Sequence, residues 1–375
     1  MSLWLPRVCC PLAFLFLLML VPAASRAQDP TIDRLLSKLP PPEKLVKPSI
    51  DQARQGSDPA LRDPIVAQII AALRAKNGTR ATDLSRQFTQ RHPRSASAFC
   101  IRGAVALGLR QYADAAGAFR SAKRLQPNLS YSHFGSAQVE GAQGHFAAAF
   151  PHLRQFVRLE PRNMVGWFAL SDCAQRLGRK GEAVEYAKRA TAVNPAAAIA
   201  WLQLARAEKA AGNAGGSLRA IEHAAELSPD SAPLLATVGF AYINLNRIPE
   251  AIPPLTRAAK IQPNEFLVQA QLGFSLLSTG QTAAAIPRLQ KATGIAPNYG
   301  PAWEHLGLAY QKSGRHGDAL KAFERATRLM PTHRTAWQHL AEEYRVSGRA
   351  ADANKAAARA RSLPGESAQT GRRKA

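Results

Sequence analysis

Residues 300–333 read GPAWEHLGLAYQKSGRHGDALKAFERATRLMPTH, and this stretch decides the fold. Trp303, Leu306 and Tyr310 follow one another at spacings of three and four, the stripe of one helix face. Gly307 and Ala319 are small where two helices would approach closely. Gly314 stands between them, and glycine reaches the left-handed backbone that ends a helix. Pro331 closes a second helix, because its ring cannot continue one. The stretch reads as a helical hairpin.

The pattern returns along the chain. Prolines recur in steps of 34 residues at Pro93, Pro127, Pro161, Pro195, Pro229, Pro263, Pro297 and Pro331. A register begun at Ala96 starts further units at Ser130, Met164, Ala198, Ala232, Phe266, Gly300 and Arg334. Its fourth place collects Trp167, Trp201, Trp303 and Trp337, every tryptophan except the N-terminal Trp4. The fifteenth place is Gly144, Gly178, Gly212, Gly280, Gly314 and Gly348, with Asn246 as the tolerated substitute in one unit. The twenty-seventh is alanine in every unit but one, where Phe156 stands. Such a period marks stacked copies of one supersecondary unit, each burying its face on the next.

These residues resemble the tetratricopeptide repeat (TPR) family. The resemblance implies an all-α fold, a TPR superhelical solenoid of stacked antiparallel helix hairpins. It covers residues 96–364 as an array of eight 34-residue units, the last ending one residue early at Pro364. Residues 62–95 form a degenerate first repeat, in which Pro93 and Ala81 fit but Ile69 fills the small place. Pro151, Pro253, Pro254 and Pro287 fall early in second helices, which predicts late helix starts or local kinks there.

The flanks differ in composition. Arg7, the apolar run Val8 to Val21 and the small-x-small triplet Ser25-Arg26-Ala27 read as a signal peptide over 1–27. Cleavage before Gln28 makes the chain exported, periplasmic or secreted in a bacterium; an uncleaved leader would leave it membrane-anchored. Cys9 and Cys10 precede the apolar run, the wrong side for lipidation. Residues 28–61, with Pro40, Pro41, Pro42 and Pro48, read as a Pro-rich linker, and 365–375 as a disordered basic tail. Cys100 and Cys173 lie two units apart, too far to bridge in a regular stack. The sequons at Asn77 and Asn128 are discounted, since the Ala- and Arg-rich composition is of a bacterial type.

The formal charge is +23. Much of it recurs near the ends of second helices, as in Arg120, Lys123 and Arg124, where cations favour the helix dipole. A solvated outer face is the plain reading. The alternative is an envelope-organising protein whose basic convex face holds anionic lipid or polysaccharide. Nucleic acid fits poorly, for no interleaved aromatic motif accompanies the charge.

In TPR proteins ligands usually lie in a concave groove lined by first helices, and the resemblance places the fifth and ninth places there. With two neighbours they supply a partner-binding groove of Tyr131, Phe134, Phe168, Leu202, Phe240, Ile243 and Phe274. Phe134, Phe168, Phe240 and Phe274 are the expected anchors for a helix or extended segment of a protein or peptide partner. A polar groove patch follows at Glu304, His305, His339 and Glu342. Its spacing matches no metal-ligand motif, so neither metal nor cofactor is assigned. The Lys and Asn pair with which one TPR subclass grips a terminal carboxylate is absent. So are phosphate loops, H-E-x-x-H and G-x-S-x-G. The sequence therefore reads as a non-enzymatic scaffold or adaptor.

Overall fold

The computed structural model describes residues 58–75 and 77–364. The leader, almost all of the Pro-rich linker and the basic tail lie outside the described residues. A short 3-10 turn at Pro59–Arg62 precedes eighteen α-helices, and no strand occurs among the described residues. The hairpins are α1 (Ile65–Arg74) with α2 (Gly78–Arg91), α3 (Ala96–Gly108) with α4 (Tyr112–Leu125), and α5 (Ser130–Ala142) with α6 (Phe146–Leu159). Next come α7 (Met164–Arg176) with α8 (Lys180–Val193), then α9 (Ala198–Ala210) and α10 (Ala214–Glu226). After these stand α11 (Ala232–Asn244) with α12 (Ile248–Ile261), and α13 (Phe266–Ser278) with α14 (Thr282–Ile295). The last are α15 (Gly300–Lys312) with α16 (His316–Leu329), and α17 (Arg334–Val346) with α18 (Ala350–Ser362).

Local chemistry sets the hairpin turn. The six fifteenth-place glycines have φ between +71° and +85°. Asn246 takes +57° in its unit, and Arg110 takes +59° in the unit begun at Ala96. Arg110 has a Cβ and no amide side chain to ease the left-handed backbone, so this turn is strained where the others are not.

The proline period and the tryptophans turn out to be one device. The indole N–H of Trp167 donates to the Pro161 carbonyl at 2.8 Å, and Trp201 donates to Pro195 at 2.8 Å. Trp303 meets Pro297 at 2.9 Å and Trp337 meets Pro331 at 3.1 Å. His133 and Gln269 hold the same place and reach the Pro127 and Pro263 carbonyls, each at 2.9 Å. The carbonyl of the repeat proline, just past the end of one second helix, is thus taken by the first helix of the next hairpin.

Small residues admit large ones across the hairpin. A Cβ on Gly103 would fall 2.7 Å from the Phe119 ring, and one on Gly307 would fall 2.6 Å from Phe323. Both rings are 0% exposed. Ser171 closes its hairpin by donating to the Ala183 carbonyl at 2.8 Å.

The late helix starts expected at the prolines are not found. α6, α12 and α14 start before Pro151, before Pro253 and Pro254, and before Pro287, and run through them unbroken. Each proline leaves the carbonyl four residues earlier without its helical N–H, at Ala147, Pro249, Glu250 and Ala283. All four of those residues are exposed, so water takes the freed carbonyl and no late start is needed.

The chain divides into two compact units, 1–220 and 221–375, with the division inside α10. Within the first, hairpins pack in chain order from α1 to α9, and α3 also touches α5 and α7 touches α9. Within the second, α11 to α18 stack likewise around Leu235, Leu255, Leu272, Leu289, Leu306, Phe323 and Leu340.

Candidate functional site

The first-helix surface differs from unit to unit in a way the register alone did not show. In the first compact unit Tyr131, Phe134 and Leu202 are 5%, 2% and 1% exposed. They belong to the packing and offer no free anchor. The reason for two of them is Phe156, the one large residue at the twenty-seventh place. Its ring lies 4.6 Å from that of Phe134 and 6.0 Å from that of Tyr131. The next unit has Ala190 at that place, and there Phe168 stays half-buried.

In the second compact unit Phe240, Ile243 and Phe274 are all half-buried. Phe240 and Ile243 pack against the core from α11, and Leu308 does so from α15. The Phe274 ring lies 4.9 Å from that of His305. α13 touches both α11 and α15, so these residues sit on consecutive first helices.

Of the expected polar patch, Glu304, His305 and His339 come together and Glu342 does not. Glu304 is buried, and its Oε2 lies 3.3 Å from Nδ1 of His333, a residue the register did not single out. Burial drives the His305 imidazole down to a pKa of about 4, with His333 and His339 adding repulsion. His339 is also lowered by burial and by His333, while Glu304 opposes. Its ring stacks on Phe323 at 5.5 Å. Glu342 is exposed and pairs with Arg345 on its own helix. Neutral imidazoles packed on aromatic rings can exchange hydrogen bonds but offer little charge. Among the described residues no group of three His, Cys, Asp or Glu side chains is placed to hold a metal ion.

One polar feature of the first compact unit escaped the sequence reading. Asp172 and Arg206 hold the ninth place of adjacent repeats and are hydrogen-bonded to each other. Arg176 donates to Asp172 from the other side at 2.8 Å. Gln203 accepts from Arg206 at 2.7 Å and donates to Ser171 at 3.0 Å. One carboxylate thus carries two guanidinium groups, each at most 12% exposed. Their 34-residue separation was the signal, since equal places in adjacent repeats are neighbours. Beside them Cys173 is buried, its thiol donates to the Phe146 carbonyl at 3.3 Å, and burial raises its pKa to about 11. It stays protonated at neutral pH and is no nucleophile. Neither Cys100 nor Cys173 is in a disulfide.

No helix among the described residues is long and apolar enough to cross a membrane. Family models described as tetratricopeptide repeat match residues 66–130, 134–191 and 300–333. A comparison with curated proteins returns no match. Among solved structures, a crystal structure of MamA is 24% identical over 42% of this chain and 92% of its own, with a TM-score of 0.40. MamA from Desulfovibrio magneticus RS-1 is 23% identical over 44% of this chain and 94% of its own, at 0.42. YrrB, titled a TPR protein with an unusual peptide-binding site, is 17% identical over 49% and 95%, at 0.45. The matched spans and the stacked hairpins agree: three stretches of this chain match tetratricopeptide repeats, and the fold of the described residues is that of an all-α TPR solenoid.

Proposed function

We propose that the chain is a non-catalytic scaffold, exported from the cytoplasm, that receives a protein or peptide partner on the first helices of its hairpins. The observation that carries this reading is the half-buried row Phe240, Ile243 and Phe274 on α11 and α13. Large apolar side chains left partly open on adjacent helices are the usual signature of a contact surface. Phe168 extends the same chemistry to the first compact unit. The partner supplies an amphipathic helix or an extended apolar segment, and the rigid hairpins spare it the cost of ordering the site.

The test is photo-crosslinking in the cell envelope from a reactive group placed at Ile243. Capture of one discrete partner, lost when Phe240→Ser and Phe274→Ser are combined and with helicity unchanged, supports the reading. Capture that survives the double substitution refutes it. Export is tested separately, by N-terminal sequencing of the mature protein, which should begin at Gln28.

A further inference from the structure

Lys123 is out of pattern. It holds the twenty-eighth place of its repeat, where the next six units have Val157, Thr191, Ala225, Ala259, Thr293 and Thr327, and the terminal unit has Arg361. All six are buried, at 3–8% exposure. That slot therefore accepts a small or β-branched side chain without difficulty, yet here it holds a half-buried lysine. Arg120 stands three residues before Lys123 and four before Arg124, the spacings that bring helix side chains together. The three line an open depression of about 510 Å³. A second, of about 320 Å³, shares Arg120 and Arg124 with it and adds Arg102, Ser121 and the carboxylate of Asp114.

The protein answers this positive charge only in part. Arg86 and Arg102 share Asp114, at 3.7 and 3.6 Å, but among the described residues no carboxylate pairs with Arg120, Lys123 or Arg124. Glu140 is the nearest relief to Lys123, and its carboxylate is held by His145 at 3.1 Å. Burial, and after it Arg120, lowers the Lys123 pKa. His152 is lowered too, by burial and then by Lys123 and His133, whose ring lies 6.0 Å from its own. Gathering cations around a partly desolvated lysine costs folding free energy, and an anion in the depression would offset that cost.

We propose that the depression lined by Arg120, Lys123 and Arg124 binds a doubly charged phosphate-type oxyanion, free or as the terminal phosphate of a lipid headgroup. The two guanidinium groups suit its oxygens as forks and the ammonium suits it as a point charge. This gives the basic surface of the chain one defined site, independent of the apolar row on the first helices.

The test uses the full chain at fixed ionic strength. Inorganic phosphate is titrated by calorimetry, and phosphatidylcholine vesicles with and without phosphatidic acid are tested by co-sedimentation. The unaltered chain binds phosphate, and Lys123→Thr weakens that binding about tenfold or more, the worth of a charge-assisted contact. Threonine is what three other units place there, so the fold should hold, as circular dichroism will show. Arg124→Gln is the second variant and shows the same loss. Lys260→Ser removes one exposed charge elsewhere and leaves binding unchanged. Phosphatidic-acid vesicles bound by the unaltered chain, but not by Lys123→Thr, identify the headgroup as the source; phosphate bound without vesicles identifies the free anion. No binding of either probe overturns the proposal, as does an equal loss in Lys260→Ser or undiminished binding in both site variants.

Discussion

Two glycines on neighbouring helices should respond differently to the same substitution, one with a gain in stability and the other with none or a loss. Gly117 lies inside α4 and Gly135 inside α5, both far from the helix ends. Alanine is the better helix former by about 1 kcal/mol at either position. At Gly117 nothing lies within 4 Å of an added Cβ, so the whole gain is realised. At Gly135 the new Cβ falls 2.3 Å from two atoms of the Phe119 ring. Carbon atoms pack at about 3.5–4.0 Å, so the overlap exceeds a full ångström. The ring is 0% exposed and also lies against Gly103, so it has little room to retreat. Overpacking of this kind costs about 1–3 kcal/mol, which matches or outweighs the propensity gain. Gly117→Ala should therefore stabilise by about 1 kcal/mol, and Gly135→Ala should be neutral to about 2 kcal/mol destabilising. Repeat arrays need not unfold in one step, so the readout is local: amide hydrogen exchange of α4 and α5, alongside urea denaturation. A double-mutant cycle isolates the cause, because the penalty at Gly135 must vanish in a Phe119→Ala background. Equal stabilisation by both alanines would refute the packing argument.

Arg110→Gly should raise thermal stability by about 1 kcal/mol, since it relieves a left-handed φ and removes an exposed side chain; Gly178→Ala should lose a similar amount in calorimetry. Trp303→Phe keeps the ring but loses the bond to the Pro297 carbonyl, and the denaturation midpoint should fall by an amount equivalent to about 0.5–1.5 kcal/mol. His305 takes up a proton in the unfolded chain near pH 6.5 but in the folded one only near 4. Its contribution is thus complete above the unfolded value and is lost as pH falls toward the folded one, by no more than about 3 kcal/mol because the ring is only partly shielded. His305→Gln should show a smaller fall in stability between about pH 7 and pH 4.5 than the unaltered chain, and an identical fall would refute the assignment.

The groove residues show where legibility stopped. Place in the repeat told which side chains leave the first helices on one side. It did not tell which of them another side chain would cover. Phe134 and Phe168 hold the same place in adjacent repeats, yet only Phe134 is sealed, by Phe156 of its own second helix. Phe156 was visible as the exception among alanines, and a reading of pairs of places would have used it. His333 joined the polar patch unannounced, because it sits in the connection ahead of α17 and is brought to Glu304 by the stacking of one hairpin on the next. The helix-interior prolines were misjudged for a related reason. Their cost depends on whether the freed carbonyl meets water, which is a property of the packed molecule.

From the amino acids alone came the hairpin, its period, the turn glycines and the matched tryptophan slots. All of these rest on backbone preferences and on neighbours within one repeat. The packed structure alone decided which aromatics stay open, that Asp172 is shared by Arg176 and Arg206, and that Lys123 stands beside Arg120 with no carboxylate paired to it among the described residues. Exposure and charge balance are sums over side chains brought close by stacking, and a repeat register orders those side chains without stating which of them touch.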